Sequence, residues 1–195
     1  MEAWASRQRF PQMQSVYFGG GTPSILGPEA IDLLLNRAKQ LFDLAPDAEI
    51  TLEANPDDLI IHTPEQWKKL GINRFSIGVQ SFNDKFLRRL NRSHSAEQAK
   101  NAIALAAAAG FEKCSLDLMF GLPGQTMQDW KQDLEQALTL PVDHLSVYGL
   151  TIEPKTVFHR KMRQGDLDIP GDEESADFFK TAHHTLQNAG FEHYE

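Results

Sequence analysis

The sequence predicts an α/β fold built on five parallel strands. Three observations predict it. Short β-rich segments alternate with amphipathic helices, the order expected of parallel strands joined by right-handed crossovers. Helix caps and stops fall between these segments. Polar residues cluster at the carboxyl ends of successive strands, where parallel α/β sheets bind ligands.

Taken in order, residues 15–18 read as the first strand and run into Gly19-Gly20-Gly21-Thr22-Pro23. A helix over 28–42 carries Ile31, Leu34, Leu35, Ala38 and Leu41 at helical spacing. Residues 49–53 form the second strand. A short helix over 63–70 has Thr63 as cap, Pro64 at its first position, Gln66 at the capping-box position and Gly71 as stop. Residues 74–78 form the third strand, and helices follow over 83–90 and 95–109. The second of these is alanine-rich, capped by Ser95 and closed by Gly110. The fourth strand spans 113–120, a helix 126–138 and the fifth strand 144–150. Helices over 156–164 and 173–188 complete the pattern. There is no linker, low-complexity tract or charge block, so residues 1–195 read as one domain.

The glycine triplet is the most informative run. Without Cβ atoms the backbone can approach a ligand closely and adopt dihedrals closed to other residues. No Lys-Ser/Thr follows it and no G-x-G-x-x-G is present, which excludes the common phosphate and dinucleotide loops. The alternative is a tight turn with no ligand. Further along, Glu53, Asn55, Asp57 and Asp58 end the second strand, and Gln80 and Ser81 follow the third. Asp117 lies inside the fourth, and Thr151 and Glu153 follow the fifth. An acid within an apolar strand is costly to bury unless paired or hydrogen-bonded. Glu53 and Asp117 are therefore the sharpest single residues, the alternative being that each caps a neighbouring loop.

The 195 residues carry 19 Lys and Arg against 27 Asp and Glu, a formal charge of −8. That balance argues against a nucleic-acid partner, which needs a basic face. A small anion held by one or two arginines remains compatible. The one cysteine, Cys114, excludes an internal disulfide framework and a cysteine-only metal site, and it reads as a small core residue. No apolar run is long enough to span a bilayer. Residues 1–10 lack the apolar core of a signal peptide. A cytoplasmic location is expected.

Several motifs in order carry a resemblance. They are Tyr17-Phe18-Gly19-Gly20-Gly21-Thr22-Pro23-Ser24, Glu53-Ala54-Asn55-Pro56-Asp57 and Ser76-Ile77-Gly78-Val79-Gln80-Ser81-Phe82. Leu90-Asn91-Arg92-Ser93-His94, the run 117–126 and the run 145–154 follow. Together they resemble radical S-adenosylmethionine enzymes of the oxygen-independent coproporphyrinogen III oxidase group. Thr151-Ile152-Glu153-Pro154-Lys155-Thr156 and the terminal run 190–195 are most similar to its heme-chaperone branch.

The resemblance implies a partial TIM-like (β/α)6 barrel, here with about five strands and the first missing. It implies that Gly20, Gly21 and Thr22 meet the amino-acid end of S-adenosylmethionine. Glu53 would accept from ribose or amino groups, and Arg92 would pair with the cofactor carboxylate. Gln80 and Asp117 would line the pocket, with Thr151 near the adenine. The alternative for Arg92 is a surface arginine beside Arg88 and Arg89. No catalytic residue and no metal ligand is assigned.

Family members hold a [4Fe–4S] cluster through C-x-x-x-C-x-x-C before the glycine loop, and cluster ligation needs thiolates. Residues 1–14 contain no cysteine. The chain therefore reads as a piece of a longer protein, inactive in reductive cleavage as it stands, with an exposed edge at 15–18 that favours self-association. The resemblance implies that the longer parent binds the cluster, S-adenosylmethionine and heme, and passes heme to accepting proteins. The alternative is a coproporphyrinogen dehydrogenase that decarboxylates propionate side chains. The seven histidines read as solvated or capping, and none is assigned to heme.

Overall fold

The computed structural model describes residues 11–194, so the reading of residues 1–10 falls outside it. Five strands, β1 (Met13–Phe18), β2 (Leu44–Ala54), β3 (Arg74–Gln80), β4 (Lys113–Phe120) and β5 (His144–Gly149), form one parallel sheet in sequential order. Among the described residues, eight α-helices lie between and after them: α1 (Gly27–Leu41), α2 (Pro56–Ile61), α3 (Pro64–Leu70), α4 (Asp84–Arg89), α5 (Ala96–Ala108), α6 (Met127–Leu138), α7 (Val157–Arg163) and α8 (Asp172–Asn188). The sheet is the half-barrel of a partial TIM-like fold.

Alternation along the strands divides the sheet into two chemistries. One face presents Ile50, Leu52, Phe75, Ile77, Leu116, Leu118 and Phe120. It packs against Ile31, Leu35, Leu59, Trp67, Ile103, Trp130, Leu134 and Phe178 from the helices. The alternate positions of the same strands are polar: Tyr17, Glu53, Ser76, Asp117 and Ser146. Register places Glu53 opposite Ser76 and Asp117 opposite Ser146, so this second row runs across the sheet.

Local chemistry fixes the helix starts. Capping boxes close α2 (Asn55 with Asp58), α3 (Thr63 with Gln66), α5 (Ser95 with Gln98) and α6 (Thr126 with Asp129). Each satisfies two otherwise unpaired backbone donors. Fully buried Ala99 and Ala102 let α5 sit close to the sheet. The Trp130 indole donates to the Phe178 carbonyl at 3.0 Å, tying α8 to α6.

Three elements differ from the sequence reading. β2 begins at Leu44 rather than 49. Its early half contains Pro46 and Asp47, which suppress a strand assignment, yet it pairs with β1 from Met13. A 3-10 turn, Pro23–Leu26, follows the glycines. The helix α2 occupies 56–61, where the sequence reading assigned no element; its Asn-Pro-Asp-Asp run is a helix start. The remaining predicted elements lie within a residue or two of the observed ones.

Candidate functional site

The polar groups at the carboxyl ends of β1–β5 interlock on one rim. Glu53, at the end of β2, accepts the Tyr17 hydroxyl on Oε1 and the Gly20 backbone N–H on Oε2, both at 2.9 Å. A charged acceptor makes these bonds strong, and they pin the glycine loop to the next strand. Gly20 and Gly21 hold φ of +80° and +73°, and a Cβ at either would meet nothing within 4 Å. The loop therefore faces open space and follows a path that non-glycine residues resist. Thr22 Oγ1 accepts from Asn55 Nδ2 at 3.5 Å.

Gly78 is the centre of a second cluster. A Cβ there would lie 3.2 Å from Gln80 Nε2, 3.4 Å from Arg92 Nη2 and 3.6 Å from Asn55 Oδ1. Arg92 donates to Asn55 Oδ1 at 3.4 Å. Arg92 is half-buried, whereas Arg88 and Arg89 are exposed. It stands inside the cluster and is not part of the surface pair. Gln80 is almost fully buried and has φ +72°, a region uncommon for a residue with a side chain. One extra residue between Ile77 and Gln80, against Leu116 to Leu118 on β4, bulges β3 there. The Tyr148 hydroxyl donates to Gln80 Oε1 at 2.7 Å.

Asp117 joins the two clusters. Ser76 Oγ donates to it at 3.4 Å and Ser146 also hydrogen-bonds it. Burial pushes its carboxyl above the usual range, the Ser146 and Ser76 bonds pull it back, and Glu53 adds a smaller upward push. Burial likewise raises the Tyr148 phenol, with Asp117 adding to it. Tyr17 is raised by burial first and then by its bond to Glu53. Both phenols therefore stay protonated donors.

Of the residues singled out from sequence, Gly20, Thr22, Glu53, Gln80, Arg92 and Asp117 are thus gathered by direct contacts or shared neighbours. Gly21 extends the loop beside them. Thr151 is exposed past the end of β5, with no bond to the others. Sequence reasoning placed Asn55 among the polar strand ends without a role, and did not single out Tyr17, Ser76, Ser146 or Tyr148. Their signal was their position in the same alternate row as Glu53 and Asp117. Asp57 and Asp58 serve the scaffold: Asp57 accepts from Ser93 at 2.5 Å and Asp58 from Ser24 at 2.6 Å.

The donor set fits S-adenosylmethionine. The glycine-loop backbone, a carboxylate, a guanidinium and a primary amide lie along one rim, and the left-handed glycines leave their Cβ positions empty. It does not fit an iron–sulfur cluster. Cys114 is the one cysteine of the sequence, it is buried, and burial pushes its thiol up to about 12. No group of His, Cys, Asp and Glu among the described residues could hold a metal ion.

The histidines need one correction. His94 is neither solvated nor a cap. It is 3% exposed and bonds the Val79 carbonyl through Nε2 at 3.2 Å. Separately, a cavity of about 690 Å³ lies between β5 and the segment after α8. There the His183 and His193 Nδ1 atoms are 2.9 Å apart, and His144 Nε2 meets the Tyr194 hydroxyl at 2.5 Å. No described helix is long and apolar enough to cross a membrane.

Comparison with known proteins places the chain in a family. The profile of the Radical SAM superfamily matches residues 2–137. The heme chaperone HemW of Synechocystis sp. is 42% identical over 183 residues, which cover 94% of this chain and 44% of that protein. The heme chaperone HemW of Escherichia coli is 41% identical over 184 residues, covering 94% and 48%. Among solved structures, coproporphyrinogen III oxidase (HemN) from Escherichia coli, a radical SAM enzyme, superposes with a TM-score of 0.79 at 28% identity. That match covers 92% of this chain and 41% of HemN. The chain spans about half the length of the curated relatives it matches.

Proposed function

We propose that this chain, which belongs to the radical SAM superfamily, is the S-adenosylmethionine-binding core of a heme chaperone that binds heme and delivers it to accepting proteins. Membership is the premise, and the observation that carries the reading is the convergence of Gly20, Glu53, Gln80, Arg92 and Asp117 on one rim. Gly20, Gly21 and Thr22 would meet the amino-acid end of the cofactor. Arg92 would pair with its carboxylate through the planar guanidinium fork. Glu53 and Asp117 would accept from the ribose diol or the amino group. Thr151 would reach toward the adenine. When bound in members of this superfamily, the [4Fe–4S] cluster supplies the electron and the open iron site for S-adenosylmethionine. These 195 residues hold no ligand set for it.

The heme-chaperone branch is favoured by likeness to HemW over nearly the whole chain. Heme, heme-accepting proteins and a cytoplasmic site of action follow from that branch. The second reading, a coproporphyrinogen III dehydrogenase acting on propionate side chains, draws on the superposition with HemN.

Calorimetric titration with S-adenosylmethionine tests the core of the proposal. Saturable binding, weakened at least tenfold in Arg92→Ala, is expected. Binding unchanged by Arg92→Ala would remove the assigned site. For the branch, the full-length parent is placed in a strain lacking anaerobic coproporphyrinogen oxidation. Failure to restore heme synthesis, with heme binding retained, is expected; restoration would favour the second reading.

A further inference from the structure

A second pocket opens among the loops that follow β3, β4 and β5. It encloses about 420 Å³ and is lined by Lys85, Arg88, Arg89 and Lys161, with Asp166 and Asp168 at its wall. Four cations face two carboxylates. None of the four forms an ion pair among the described residues; Lys85 instead lies over the Phe86 ring, 5.1 Å from its centroid. Arg89 donates to the Pro123 carbonyl, which aims its guanidinium at the turn after β4. That turn accepts it because residue 124 is glycine: a Cβ there would lie 2.8 Å from Arg89 Nη1. Gly124 N–H donates to the Asp168 carbonyl at 2.8 Å, closing the third wall.

The walls are α4, the turn after β4, and α7 with the run to Asp168, which follow β3, β4 and β5 beyond their carboxyl ends, the end that carries the Glu53–Asp117 rim. Arg89 ends α4, and Arg92 follows three residues later in the segment after it. The volume lies at the small end of ligand pockets, so it suits the charged arms of a ligand and not a large ring system. Phe158 adds an apolar wall.

We propose that this pocket binds carboxylate arms, and that its ligand carries two or more of them. Resting on the heme-chaperone reading, those arms are the propionates of a tetrapyrrole whose ring lies toward the cofactor rim. Arg88 and Arg89 supply planar forks that match carboxylate geometry, and Lys85 and Lys161 supply point charges. No bond is made or broken.

The test titrates the 195-residue chain with mesoporphyrin IX, its dimethyl ester, citrate and inorganic phosphate. It is repeated in Arg88→Glu and Lys161→Glu, exposed positions outside the cofactor rim, with circular dichroism confirming the fold. Expected are tenfold or greater weakening of the free-acid porphyrin and of citrate in both variants, much weaker binding of the dimethyl ester, and poor competition by phosphate. Equal binding of citrate and porphyrin to parent and variants would overturn the pocket. Phosphate competing as well as citrate would overturn the carboxylate assignment. Charge-dependent citrate binding with no porphyrin binding would sustain the pocket and remove the tetrapyrrole reading.

Discussion

The Tyr148 hydroxyl donates to Gln80 Oε1 at 2.7 Å, joining β5 to β3 across the end of β4. The bond holds a side chain whose backbone is left-handed at φ +72°. Such a conformation costs about 1 kcal/mol or more in a residue with a Cβ. It persists because the surroundings fix it on both flanks. His94 bonds the preceding carbonyl of Val79, while Asp133 accepts Phe82 N–H at 2.6 Å and Ser81 Oγ–H at 2.8 Å.

Replacing Gln80 by glycine separates strain from recognition. The strained backbone relaxes while the amide is lost. The melting temperature of Gln80→Gly is expected to hold or rise slightly. S-Adenosylmethionine affinity is expected to fall about tenfold, worth about 1.4 kcal/mol. A marked loss of stability would show that the side chain, and not the backbone, dominates.

Glu53 has both oxygens occupied by donors, Tyr17 and Gly20. A Glu53→Gln amide retains one acceptor and turns a donor toward the other partner. The expected cost is about 1–2 kcal/mol in urea unfolding, with faster hydrogen exchange at Gly20. Exchange at Gly20 equal to wild type would contradict the loop clamp.

Gly78→Ala would bring a methyl group to 3.2 Å from Gln80 Nε2 and 3.4 Å from Arg92 Nη2. Both neighbours are flexible ends, so global stability should change by less than about 1 kcal/mol. Cofactor affinity should drop severalfold as the two ends separate. A large stability loss with unchanged affinity would argue that Gly78 serves packing alone.

Burial pushes the Asp133 carboxyl up to about 6, against its bonds to Phe82 and Ser81. It binds its proton more tightly folded than unfolded. Its contribution is therefore complete below the unfolded carboxylate range and is lost as pH rises through about 6. The swing is roughly 2–3 kcal/mol. Asp133→Asn should flatten stability between pH 4 and 6; a slope identical to wild type would place its source elsewhere.

His94 acts with the opposite sign. Burial lowers its pKa, opposed by the Val79 bond and by Asp57 and Asp84, and aided by Arg92. Its contribution is present above the ordinary histidine range and is lost as pH falls below it. His94→Phe should remove that acid-side loss in chemical denaturation followed across pH, leaving the Asp133 slope exposed. An unchanged acid limb would refute it.

Much of the fold was legible because its signals are local. Thr63 with Gln66, and Ser95 alone, mark helix starts within a few residues, and Gly71 marks a stop at φ +101°. The opening of β2 was hidden because Pro46 and Asp47 disfavour a strand locally, whereas pairing with β1 is a non-local reward. The 56–61 helix was hidden by the same Asn-Pro-Asp-Asp run that builds its cap.

The sequence by itself determined the order of strands and helices and which strand ends carry polar groups, because periodicity, caps and glycines act over a few residues. Only the tertiary structure decided which of those groups meet. Tyr148 reaches Gln80 across 68 positions, Asp133 reaches Ser81 across 52, and Thr151 reaches none of them. Such contacts depend on the register between strands, the bulge before Gln80 and the curvature of the sheet, and these are set by packing summed over the whole core.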